Sequence, residues 1–117
     1  MKETANSIDW KAGDVVRVTA DLPVTEIILP SYLEKYVPEG SVGKIVEVVT
    51  GLEHLIVGFK TIDEGVEELE SVLVYFSGTT RCSDSRRYTT NLEKLPEFKG
   101  ELPEMIFTYE NLNHNNK

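Results

Sequence analysis

Few side chains in this 117-residue sequence have the chemistry to make or break a covalent bond. There are two histidines, His54 and His114, and one cysteine, Cys82. A Ser/His/Asp set would have to draw on His54, and no G-x-S-x-G turn is present to raise a serine. His54 therefore reads as a structural or surface residue. Cys82 lies between Arg81 and the pair Arg86 and Arg87, and nearby cations favour the thiolate. That spacing admits a redox-sensitive or partner-facing thiol, or a small enzyme using Cys82 as nucleophile. The sequence holds no resolving cysteine, which favours an incidental loop residue. One cysteine also leaves no internal disulfide and no cysteine set for zinc or an iron–sulfur cluster. Gly40, Gly43 and Gly51 lack the spacing of a phosphate loop, and the carboxylates of 63–70 lack the order of a calcium loop. No catalytic residue, metal ligand or cofactor is assigned, and the chain reads as non-enzymatic.

Charge narrows the partners. Twenty acids against 12 bases give a formal charge of −8. A general nucleic-acid binder needs a basic face to neutralise phosphates, and an anionic membrane surface needs the same. An RNA- or ribosome-associated small barrel is thereby disfavoured, though it stays an alternative because translation-type barrels share the G-D-x-V strand. Acidity keeps a protein in solution and also suits a basic protein partner. The charge is uneven. Residues 51–80 carry six acids and one base, net −5, while residues 81–95 carry four bases and two acids, net +2. Arg81, Arg86, Arg87 and Lys94 form a candidate basic patch, set either against an acidic partner or against the chain's own 63–70 acids. No apolar run is long enough to span a membrane and the first residues lack the apolar core of a secretory signal. The expectation is a cytoplasmic protein, with the periphery of a membrane complex as a further place for it.

These residues must be held by strands. Val16 and Val18 alternate with Arg17 and Thr19 after the Gly13-Asp14 turn. Residues 44–49 and 54–60 form two more apolar runs joined through Gly51, which predicts a hairpin, with Leu55, Val57 and Phe59 on one face. Residues 71–76 form the most apolar strand: Val72, Val74 and Phe76 face one way, Leu73 and Tyr75 the other. Such a strand is central or covered. Between the first two strands, residues 20–41 hold Pro23, Pro30 and Pro38, which block regular pairing. This reads as a long loop with a helical turn over 31–36, serving as a lid on the core or as a partner contact. Residues 61–70 read as an acidic connection with one helical turn. Tyr88, Thr89 and Thr90 read as a short closing strand. Residues 105–109 are apolar enough to add an edge strand or cover a core face, as Trp10 covers one end. The expected fold is all-β: a small five-stranded open barrel of the Src-homology-3 (SH3)-like kind over residues 12–95. A lead-in over 1–11 precedes it, a long loop follows its first strand, and a partly disordered extension over 96–117 ends it.

Gly13-Asp14-Val15-Val16-Arg17-Val18, the proline-bearing loop, and Gly40-Ser41-Val42-Gly43-Lys44-Ile45-Val46-Glu47-Val48 resemble the electron-transport accessory barrels. That group includes the variable chain of ferredoxin–thioredoxin reductase, the E subunit of photosystem I, ferredoxin-side subunits of the photosynthetic NDH complex, the nitrogen-fixation accessory protein NifZ and the nitrile hydratase β subunit. Leu29-Pro30-Ser31-Tyr32 is similar to the hydratase subunit's approach to its second strand, and residues 88–95 resemble the closing strand with its L-E-x-L ending. The acidic 61–70 stretch and the tail beyond Pro96 depart from the pattern. The resemblance implies a non-catalytic accessory or docking subunit of a redox or photosynthetic protein complex, because in those families the cofactors belong to partner chains. It carries over no catalytic residue. The expected contact surface is Ile27, Ile28, Tyr32 and Tyr36 from the long loop, with Arg81, Arg86 and Arg87 from the basic loop.

Overall fold

A computed structural model of the protein describes residues 10–24, 33–80, 82 and 84–111. Among the described residues eight strands make up two sheets: β1 (Val15–Val18), β2 (Leu22–Val24), β3 (Leu33–Val37), β4 (Val42–Val49), β5 (His54–Asp63), β6 (Val66–Tyr75), β7 (Leu92–Lys94) and β8 (Thr108–Asn111). The first sheet has the order β6-β5-β4-β1-β7, and the second β2-β3-β8. Every pairing between these strands is antiparallel. The helical pieces among the described residues are three single 3-10 turns, Thr50–Leu52, Ser85–Arg87 and Thr89–Asn91. No helix among the described residues is long and apolar enough to cross a membrane.

Period-two patterning sets the core. Val16 and Val18 are fully buried while Arg17 between them is exposed, and Leu55, Val57 and Phe59 are all fully buried. Val72 and Val74 from β6, with Phe76 just beyond it, complete that layer, with Ile45, Leu92, Leu22 and Val37 closing it. Trp10 joins the same cluster at 6% exposure. β4 carries an irregularity between Ile45 and Glu47, where Val46 is the extra residue and turns outward. Such a bulge increases local twist and helps a sheet curl. Gly43, opposite Val16, must lack a side chain: a Cβ there would lie 2.7 Å from the Gly58 carbonyl and 2.8 Å from the Phe59 ring.

Three expectations are corrected, and a fourth is resolved between its two alternatives. Residues 33–37 are a strand, not part of a helical turn. Pro23 is accommodated because β2 is an edge strand. Residues 61–70 are not a helical connection. β5 and β6 pair without interruption from His54↔Tyr75 to Asp63↔Val66 and close through Glu64 and Gly65, at φ 52° and 79°. Positive φ at both central residues is the mark of a type I′ hairpin turn. The closing strand is Leu92–Lys94 rather than Tyr88–Thr90, which form a single bridge, Tyr75↔Tyr88, and part of a 3-10 turn. β6, apolar on both faces near its end, is an edge strand, so its outer face is covered rather than central.

Residues 104–111 act as a strap. The Met105 amide donates to the Lys60 carbonyl at 2.7 Å, and its side chain is 3% exposed within the core. The strap then becomes β8, pairing with β3. It both covers the core and adds an edge strand.

Candidate partner-binding face

β3 alternates, so Glu34 and Tyr36 share one face. Its pairing with β8 sets Glu34 directly opposite Glu110 and Tyr36 opposite Thr108. Like charges placed opposite one another repel. Tyr36 relieves this: its hydroxyl lies 2.9 Å from Glu34 Oε1 and 3.2 Å from Glu110 Oε1, donating its one proton to either. Burial raises the Tyr36 phenol above its ordinary pKa; the Arg86 bond opposes that rise and the two carboxylates add to it.

Arg86 reaches this cluster from the 3-10 turn Ser85–Arg87. Asp84 caps that turn, accepting from the Arg86 amide at 3.0 Å. The same carboxylate takes the guanidinium in a two-pronged grip, from Nε at 2.9 Å and Nη2 at 2.8 Å. Bidentate pairing of this kind fixes direction as well as distance. The Arg86 bond holds the Asp84 carboxyl below the usual carboxylate range, and Asp84 in turn raises the Arg86 pKa further. The guanidinium carbon then lies 5.7 Å from the Tyr36 ring centroid, with Nη2 4.0 Å from Glu34. Asp21, Tyr36, Arg86, Thr108, Tyr109 and Glu110 line a cleft of about 340 Å³ here.

Arg87 points elsewhere. Its guanidinium lies 5.9 Å from the Tyr75 ring, and its buried Nε has no hydrogen-bond partner. Tyr75 packs edge-on against the buried His54 at 6.1 Å and tilted against Tyr88 at 6.2 Å, which is the cover over the outer face of β6. The Tyr88 hydroxyl accepts from the Cys82 amide at 3.2 Å and directs its proton at the carbonyls of Thr79 and Cys82. It thereby pins the loop that carries the half-buried Cys82 beside a hollow of about 350 Å³.

The structure brings Tyr36 and Arg86 together, places Arg87 over a different ring, and leaves Cys82 in the Tyr88 hollow. Ile27, Ile28, Tyr32 and Arg81 lie outside the described residues, as does His114. Among the described residues of the basic patch none pairs with the 63–70 acids: Arg86 is held by Asp84 and Glu34, and Lys94 by Asp14 at 3.6 Å. The chain's own carboxylates therefore offset the charge of Arg86 and Lys94. Glu34, Asp84, Glu110 and Tyr88 were not singled out from the sequence. Asp84 carried a signal, an Asx residue ahead of a turn; Glu34 and Glu110 meet only through strand register. Among the described residues no three His, Cys, Asp or Glu side chains converge to hold a metal ion.

Comparison of the chain with protein-family models, with curated proteins and with solved structures finds no match.

Proposed function

We propose that this chain is an SH3-like barrel serving as a non-catalytic accessory subunit, docking on a protein partner through the face that joins β3, β8 and the 85–87 turn. The observation that carries the reading is the stacking of Arg86 on Tyr36, 50 positions apart in sequence and 5.7 Å apart in space. This pair supports the expectation that the long loop and the basic loop share one contact surface. Arginine and tyrosine are enriched where interfaces concentrate their energy, and here both are oriented in advance by Asp84, Glu34 and Glu110. The order β6-β5-β4-β1-β7, a meander whose last strand returns beside the first, supports the SH3-like reading. The redox or electron-transfer class of the partner rests on the sequence resemblance.

The test is affinity capture from the native organism with quantitative mass spectrometry, comparing the parent chain with Arg86→Ala and Tyr109→Ala. Tyr109 lines the same cleft and is 54% exposed, so its removal spares the core. The reading expects a component of a redox or photosynthetic complex to be enriched with the parent and lost with both folded variants. Enrichment of none, or equal enrichment with the variants, overturns it.

A further inference from the structure

β6 pairs along its whole length with β5, yet on its other side the described residues supply one bridge, at Tyr75. Over residues 66–74 no strand among the described residues lies beside its outward amides and carbonyls. Natural edges are commonly closed by a proline, a lysine or a bulge. β6 has none of these, and its register with β5 is unbroken. Its guards are acids. Glu68 and Glu70 face the same side as Val66, and neither side chain has an ion pair or hydrogen bond among the described residues. They line a cleft of about 470 Å³ with Asp63 and Glu104, which are likewise unpaired, and with apolar walls from the 105–109 strap. On the opposite side of the strand Leu69 is 47% exposed, beside Ile62 at 43%. One sign of charge along an edge acts selectively. A second copy of β6 would set glutamate against glutamate, whereas a basic strand meets complementary charge at Glu68 and Glu70.

We propose that the edge of β6 over residues 66–74 receives an extended, lysine- or arginine-bearing segment of a partner protein as a ninth strand, its basic side chains set against Glu68 and Glu70. Backbone hydrogen bonds supply affinity, alternate cations supply specificity, and apolar residues between them cover Leu69. The β6 edge lies apart from the Tyr36–Arg86 pair, the two clefts sharing Tyr109 alone, and the proposal does not depend on that pair.

The probe is the peptide acetyl-Val-Lys-Val-Lys-Thr-Lys-Val-amide, followed by amide NMR shifts of the full chain and by fluorescence anisotropy. The expected result is shifts concentrated on residues 66–74. Methylating the nitrogens of one alternate set of peptide residues abolishes binding, while methylating the other set leaves it. Glu68→Lys with Glu70→Lys weakens binding about tenfold, the worth of two rim charges. Four results overturn the proposal: no binding, shifts located away from β6, equal binding by both methylated peptides, or equal binding by a peptide with glutamate in place of lysine. Self-association of the parent chain with shifts on β6 also counts against it, since the acids then fail to exclude a second copy.

Discussion

The two ends of the β5–β6 hairpin share one backbone ladder and almost nothing else. At the base, Leu55, Val57, Phe59, Val72 and Val74 are at most 2% exposed. At the tip, every residue from Ile62 to Leu69 is exposed. The change falls where Phe59 stands opposite Glu70. Below that pair, alternate residues on one face are apolar; above it, acids occupy both faces. The ladder therefore continues past the core, held by its turn, its backbone bonds and the Lys60–Glu67 ion pair at 3.9 Å. An isolated two-stranded hairpin is only marginally stable in water. The base is where the domain gets its stability, and the tip is where it presents charge and open edge.

The sharpest way to break this contrast is to remove the last core residue before the change. Phe59→Ala should cost about 3–5 kcal/mol, because a large fully buried ring leaves a cavity behind. Urea denaturation should show the loss as a shift of midpoint for the whole domain, and a change confined to the tip would contradict the division. At the other end, Gly65→Ala places a Cβ at φ 79°, which should cost about 1–2 kcal/mol. Here the expected signature is local: faster amide exchange at residues 61–69, with the base amides still protected. Equal loss of protection in both regions would make the hairpin a single cooperative unit.

A smaller effect contrasts acids that the fold satisfies with those it leaves bare. Asp84→Asn keeps a capping side chain but removes the charge facing Arg86, and should cost about 0.5–1 kcal/mol at neutral pH. The folded Asp84 carboxyl lies below its ordinary value of 3.8. Its contribution is thus fully present above that value and is lost as pH falls through the lower folded one. The parent and the variant should therefore begin to converge in acid denaturation below about pH 4 and meet below the lowered folded value. A gap that persists there would assign the effect to something other than charge.

Much of this arrangement was legible in the residues. Val16 with Val18, Leu55 with Val57 and Phe59, and Val72 with Val74 and Phe76 alternate with period two, and that signal is local. The misread stretches have physical reasons. Val66–Glu70 is made of good helix formers, and it is a strand because Glu64 and Gly65 turn it back onto β5. The expected turn was obscured because glutamate is not the usual residue for a positive φ. Tyr36 and Val37 fit a helical turn as well as a strand, and what decides is a partner strand at 108–111 that no local pattern shows. The candidate site divides the same way. Tyr36 and Arg86 stood out by type, whereas Glu34, Asp84 and Glu110 matter through register and through one capped turn.

The strap has a consequence for the order in which the molecule forms. β5 and β6 meet across a two-residue turn, whereas the Tyr36–Glu110 contact closes a span of 74 positions. Closing a long span costs chain entropy before any contact returns it. Our hypothesis is that the hairpin forms early and the three-stranded sheet last, so Met105 stays outside the core until β8 docks on β3. Pulse-labelled exchange that protected β8 ahead of β5 would reverse that sequence. Until the strap closes, the nascent core is exposed on the side of Lys60, and a chaperone that recognises apolar surface has its opening there.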